Sequence, residues 1–177
     1  MLPFDEINRM SRETISTESS VTETEDFVED ILLMAYALGY EEITDLLGIT
    51  DEADPQKIYA VLDKDIAGKT YRDRIREYVG TGSIEDIYRV IETESHRVYE
   101  TAKYDTAVES GKPLMKRWDT MLDERVRSTH SYIEGAYVPL DAKFYTYDGD
   151  SALFPGGFEL PQNNIRCRCG ITYTVAE

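Results

Sequence analysis

The sequence is short of the residues that most often carry special chemistry. Its 177 residues include two cysteines, two histidines and one tryptophan. The cysteines, Cys167 and Cys169, are separated by one residue, and bridging positions i and i+2 strains disulfide geometry. A disulfide framework is therefore excluded, and a reducing, cytosolic setting is expected. Long apolar runs are also missing: none approaches the ~20 residues that span a bilayer. The start, Met1-Leu2-Pro3-Phe4-Asp5-Glu6, has neither the basic nor the apolar part of a signal peptide. The sequence also lacks a phosphate loop, a dinucleotide fingerprint, a His-Glu-x-x-His zinc motif and internal repeats.

Positive charge is scarce, with 19 Lys+Arg against 35 Asp+Glu and a net charge of −16. The deficit is uneven. Residues 111–177 carry 8 basic and 9 acidic side chains, whereas the preceding 110 carry 11 and 26. An acidic front repels nucleic-acid phosphates, whose contacts dominate such affinity. It suits a solvated surface or a docking face for a basic partner. The near-neutral end leaves local DNA contact open, with Arg117, Arg125, Arg127, Arg166 and Arg168 as candidates.

With 41% hydrophobic residues, the chain can bury a sizeable core. The pattern predicts an α+β fold, with a helical N-terminal part followed by a small α+β domain bearing a short antiparallel sheet. Residues 1–26, rich in Ser, Thr and Glu, are expected to be an acidic, partly disordered arm. Residues 27–110 read as helical. One helix should stop at Gly39, and a short one should run from Glu41 to Leu47 before Gly48. Another should open at Asp54-Pro55, carry Ile58, Val61, Leu62 and Ile66, and end at Gly68. Tyr71 to Val79 reads as a further helix before Gly80. The longest is expected from Ser83 to about Ser110, with Ile84, Ile87, Ile91, Val98 and Ala102 on one stripe. Residues 111–177 then predict a strand over Leu114–Trp118 and a helix over Asp123–Ile133. Strands and turns follow, ending in Ile171–Val175.

Candidate site residues concentrate near the end. Glu94 lies on the apolar stripe of the longest helix, where a carboxylate needs a partner. Asp123, Arg127 and His130 would share one face of the expected short helix. Cys167 and Cys169 would face one side of a strand, with Arg166 and Arg168 on the other. Two thiols with His130 form a candidate metal set for zinc, with His96 or Asp123 as a fourth ligand, although the spacing departs from the usual knuckle. Packing of two small cysteines in a core is the plainer alternative. A nucleophilic or nuclease centre would require His130 to meet a cysteine, or Glu94 with Arg125 and Arg127. No catalytic residue is assigned, and enzymatic activity is left open.

Trp118 is followed by Asp123-x-Arg125-x-Arg127-x-x-His130, then Gly135, Phe144, Pro155 and Arg166-Cys167-Arg168-Cys169. This order resembles the C-terminal domain of the Mu F-like head-morphogenesis family of phage minor head proteins. Upstream, Gly68-Lys69-Thr70-Tyr71 with Arg74-Ile75, and Thr93-Glu94 with Arg97, are similar to further segments of that family. The resemblance covers about residues 60–175, with Glu134 and Arg166 as departures from the family's Asp and Asn. It implies a phage or prophage minor head protein of the virion's head interior, present in host cytoplasm during assembly. It also implies portal or capsid proteins of the same phage as partners and no membrane. The alternatives are a DNA-binding accessory protein, or a nuclease or toxin-like effector using His130 with Glu94 and Arg127. Glu94, Asp123, Arg125, Arg127 and His130 are then expected to form a structural polar cluster. Glu94 would pair with Arg125 or Arg127 and tie the helical front to the α+β end.

Overall fold

A computed structural model describes residues 2–176. The element order is α1 (Phe4–Thr14), α2 (Val21–Leu47), α3 (Pro55–Leu62), α4 (Tyr71–Thr81), α5 (Ile84–Glu109), β1 (Leu114–Asp119), α6 (Ser128–Ser131), β2 (Tyr137–Pro139), β3 (Phe144–Tyr145), β4 (Ser151–Ala152), α7 (Pro161–Asn164) and β5 (Gly170–Val175). The fold is α+β, as expected. Among the described residues, no helix is long and apolar enough to cross a membrane.

The N-terminal segment departs from the expected arm. Asp5 and Glu6 occupy the first turn of α1, where acids favour the helix dipole, and Ile7 and Ser11 are buried. The turn that follows is held by Tyr88 of α5, whose hydroxyl donates to the Ile15 carbonyl at 3.0 Å. Phe4, Ile7 and Met10 recur at helical spacing on one face of α1, and its stability comes from docking that face on the first core. A reciprocal Ser20–Glu23 capping box opens α2.

Gly39 does not stop a helix. α2 runs through it to the left-handed cap at Gly48, which has φ 65°. A Cβ at Gly39 would stand 2.4 Å from the Tyr99 carbonyl oxygen, so the missing side chain lets α2 press directly on α5. Asp54 caps α3 as expected, accepting from Gln56 N at 2.9 Å. That helix ends early, at Leu62. Ile66 lies beyond it, bridged to Lys69 across a tight turn whose Ala67 and Gly68 have positive φ. Thr70 and Asp73 form the capping box of α4, which continues through Gly80 to a cap at Gly82.

In the C-terminal part, β1 is the centre of an antiparallel sheet ordered β2-β1-β5, while β3 and β4 form a separate hairpin. Trp118 pairs with Ile171 and Lys116 with Tyr173, which sets the inward face. The helix expected over Asp123–Ile133 shrinks to α6. Asp123 accepts from the Arg125 amide at 3.0 Å, closing a local turn that competes with helix.

The buried apolar residues form two clusters. The first joins α1 to α5 through Ile7, Leu32, Tyr71, Ile75, Ile91 and Val98. The second gathers Trp118, Phe144, Phe158, Cys167, Cys169 and Ile171, together with Ile43 and Leu47 of α2 and Ala107 of α5. The two long helices thus enter both clusters.

Candidate functional site

Trp118 is the floor of the second cluster. Its ring meets His130, Phe144 and Phe158 edge-on at 5.5, 5.2 and 5.6 Å, while Phe158 stacks on His130 at 5.4 Å. The imidazole comes from α6, whose first turn is closed by the His130 amide donating to Arg127 O at 3.0 Å. The thiols come from the turn before β5, and not from a strand as expected. Arg166 there has φ 53°, a left-handed conformation better suited to Asn than to Arg. This turn aims both thiols at one point. Cys169 Sγ is 3.3 Å and Cys167 Sγ 3.6 Å from His130 Nδ1. All three side chains are buried, and both cysteines are free.

The two thiols titrate as a pair. Burial pushes Cys167 up, but hydrogen bonds from Cys169 and His130, with the charge of His96 and His130, hold it well below the ordinary thiol value. Cys169 is pushed well above it by its hydrogen bond with Cys167 and by burial. Cys167 is thus the thiol favoured to ionise.

The other expected ligands are engaged elsewhere. His96 Nε2 donates to the Cys169 carbonyl at 2.6 Å. Asp123 pairs with Arg168 at 2.8 Å, and Arg166 with Glu92 at 2.7 Å. Arg127 donates to the Ile165 carbonyl. Arg125 and Arg127 do line, with Arg166 and Arg168, a crevice of about 10 Å³ that reaches His130 and Cys169.

Glu94 is buried and paired, but not with the partners expected of it. Its carboxylate meets Arg97 Nε at 2.7 Å and Arg74 at 3.9 Å. Arg97 also donates to the carbonyls of Val61 at 3.0 Å and Leu62 at 3.4 Å. The ion pair therefore binds α5 to the end of α3 and to α4, and the five-residue polar cluster is not assembled. Glu94 also faces a cavity of about 530 Å³ shared with Arg74, Arg89, Phe158 and Ile165.

The tie between the two parts of the chain runs through residues that were not singled out for it. Thr93, His96, Glu100 and Lys103 form a polar stripe at helical spacing on α5. Thr93 accepts from the Arg166 amide at 3.2 Å, His96 holds the Cys169 carbonyl, and Lys103 donates to the Ile171 carbonyl at 2.7 Å. These carbonyls lie along the free edge of β5, so α5 covers an edge strand with donors. Burial raises the Glu100 carboxyl against the attraction of Lys103, 3.7 Å away. The helical spacing of polar side chains beside the apolar stripe was the available sequence signal. Asp150 was also missed. It accepts from Asn163 at 3.0 Å and from the amides of Ser151 at 2.8 Å, Glu159 at 3.2 Å and Leu160 at 3.0 Å, fixing the start of β4 to the segment that enters α7.

This arrangement bears on what the chain is similar to. The minor head protein GP7 of Bacillus phage SPP1 is 28% identical over 85 residues, covering 47% of this chain and 28% of that protein. The NAD(+)–arginine ADP-ribosyltransferase EFV of Enterococcus faecalis (strain ATCC 700802 / V583) is 30% identical over 108 residues, covering 58% of this chain and 22% of that protein. The chain thus spans less than a third of the length of these curated relatives. No solved structure matches it. The family described as Phage Mu protein F like protein matches residues 58–172, a stretch that includes Glu94, Trp118, His130 and both cysteines. That match covers well over half of the sequence, and the chain belongs to this family.

Proposed function

We propose that this chain is a minor head protein that acts in phage head morphogenesis and turns over no substrate. The observation that carries the reading is the family match over residues 58–172, reinforced by a relative named as a minor head protein. The protein would be made in the host cytoplasm and held inside the head by portal or capsid proteins of the same phage or prophage. The acidic front suits docking on a basic partner surface. An effector enzyme using His130 with Glu94 and Arg127 is less well supported. His130 is enclosed by Trp118, Phe158 and the two thiols, while Glu94 is committed to Arg97 and Arg74.

The test is sedimentation of procapsids assembled from the phage's own head proteins with and without this chain. Co-sedimentation at a fixed number of copies, lost when the portal is omitted, is the expected result. A chain that stays at the top of the gradient with every combination of head proteins would refute the reading.

A further inference from the structure

We propose that His130, Cys167 and Cys169 bind one zinc-class divalent ion, which staples α6 to the turn before β5. The inference stands on the side-chain geometry alone and holds whether or not the chain enters a phage head. Tetrahedral zinc with bonds of about 2.0–2.1 Å to nitrogen and about 2.3 Å to sulfur sets its ligand atoms about 3.6–3.8 Å apart. Here the nitrogen–sulfur separations are 3.3 and 3.6 Å, and all three ligand atoms lie within 4.8 Å of one another. The two nitrogen–sulfur pairs are within tenths of an ångström of that spacing.

The surroundings fit the same conclusion. Thiols that merely fill a core behave as small hydrophobes and need no polar neighbour. These two face an imidazole that is 1% exposed, and the Nδ1 of that ring meets the two sulfurs. The donors come from positions 37 and 39 residues apart, so one ion would close a long loop between two irregular segments. Trp118 and Phe158 wall the cluster on its apolar side. His96 and Asp123 are engaged elsewhere, so the fourth position falls to a water or small anion. The crevice beside His130 and Cys169 has space of about 10 Å³, roughly one water. Its arginines suit a ligand of negative charge. On binding, two sulfur–metal bonds and one nitrogen–metal bond replace bonds between the hydrated ion and its waters, which leave to solvent. Each thiol releases its proton to solvent, His130 keeps its proton on Nε2, and no electron changes hands. Two thiolates then balance the divalent ion, so the centre is neutral with water in the fourth position, and an anion there would add one negative charge beside the crevice arginines.

The test uses the full chain, purified under reducing conditions without chelator. Elemental analysis should find one zinc per chain. Removing it with a chelator should lower Tm by more than about 5 °C, and zinc alone should restore it. Cobalt(II) added to the stripped wild-type protein should give thiolate-to-metal charge-transfer bands and the strong visible absorption of a tetrahedral ion. Cys169→Ser and His130→Asn should weaken those bands or abolish them. If a variant does not fold, the wild-type spectrum and the chelator shift decide. Absence of zinc, a Tm indifferent to chelator and zinc, or cobalt bands of undiminished intensity in folded Cys169→Ser would each overturn the assignment.

Discussion

Glu94 and His130 are both buried polar side chains, and their surroundings differ in kind. Around Glu94 the charges are matched: Arg97 binds the carboxylate, Arg74 stands behind it, and the spare donors of Arg97 reach the carbonyls of Val61 and Leu62. Around His130 stand two thiols and aromatic rings, with the arginines of the adjoining crevice beyond them. The first centre is complete within the chain, and the second is the one for which an ion is proposed. Buried charge is tolerated where its partner folds with it, whereas convergent soft ligands without such a partner mark a place for something from outside.

The largest expected effect breaks the complete centre. Arg97→Ala leaves a buried carboxylate with only the more distant Arg74, and two carbonyls unpaired, and should cost about 3 kcal/mol in urea unfolding. Replacing both partners, as Glu94→Leu with Arg97→Met, should cost much less, because no lone charge remains. If the two variants lose equal stability, the ion pair is not what holds α5 to α3 and α4.

Gly39→Ala probes the contact between the two long helices that enter both cores. The added methyl meets the Tyr99 backbone, and a loss of about 1–3 kcal/mol is expected from denaturant midpoints. An unchanged midpoint would show that α2 and α5 can separate freely.

Lys116 offers a test by pH. It is buried on β1, donates to the Leu153 carbonyl at 2.8 Å, and burial pulls its pKa down to about 8 from 10.5. Between those values the unfolded chain binds more protons than the folded one, so this group makes stability rise with pH. The stability difference between wild type and Lys116→Met should shift in favour of wild type from about pH 8 to about pH 10. A pH-independent difference would contradict it.

The smallest effect belongs to Asp123→Asn, measured by thermal melting. The exposed pair with Arg168 should be dispensable, leaving Tm nearly unchanged. A large loss would restore Asp123 to a cluster that secures the fold.

The capped helices α3, at its start, and α4, and the striped helix α5, were legible because local chemistry and burial agree there. Gly39 was misread because a glycine that ends a helix and one that admits a neighbouring helix look alike until the neighbour is placed. Asp123–Ile133 carried helical spacing, but an aspartate closing its own turn overrode it. For the site, the structure brings His130, Cys167 and Cys169 together, but through a turn with Arg166 in the left-handed region and not through the expected strand. The partners of Glu94 were not legible. Arg97 was available three residues along the same helix, and only the packing of α4 brings Arg74 to it. The α1 dock on α5 had a signal in the spacing of Phe4, Ile7 and Met10, but the Ser, Thr and Glu residues that follow masked it. The face gains its meaning against Tyr88 and its neighbours.

The contrast between the two centres is tested most directly by amide hydrogen exchange of the wild-type chain, with and without chelator. The account predicts that chelation deprotects residues 128–131 and 166–175 while leaving the amides of α4 and the first half of α5 unchanged. Identical exchange in the two samples, or equal loss in both regions, would contradict it.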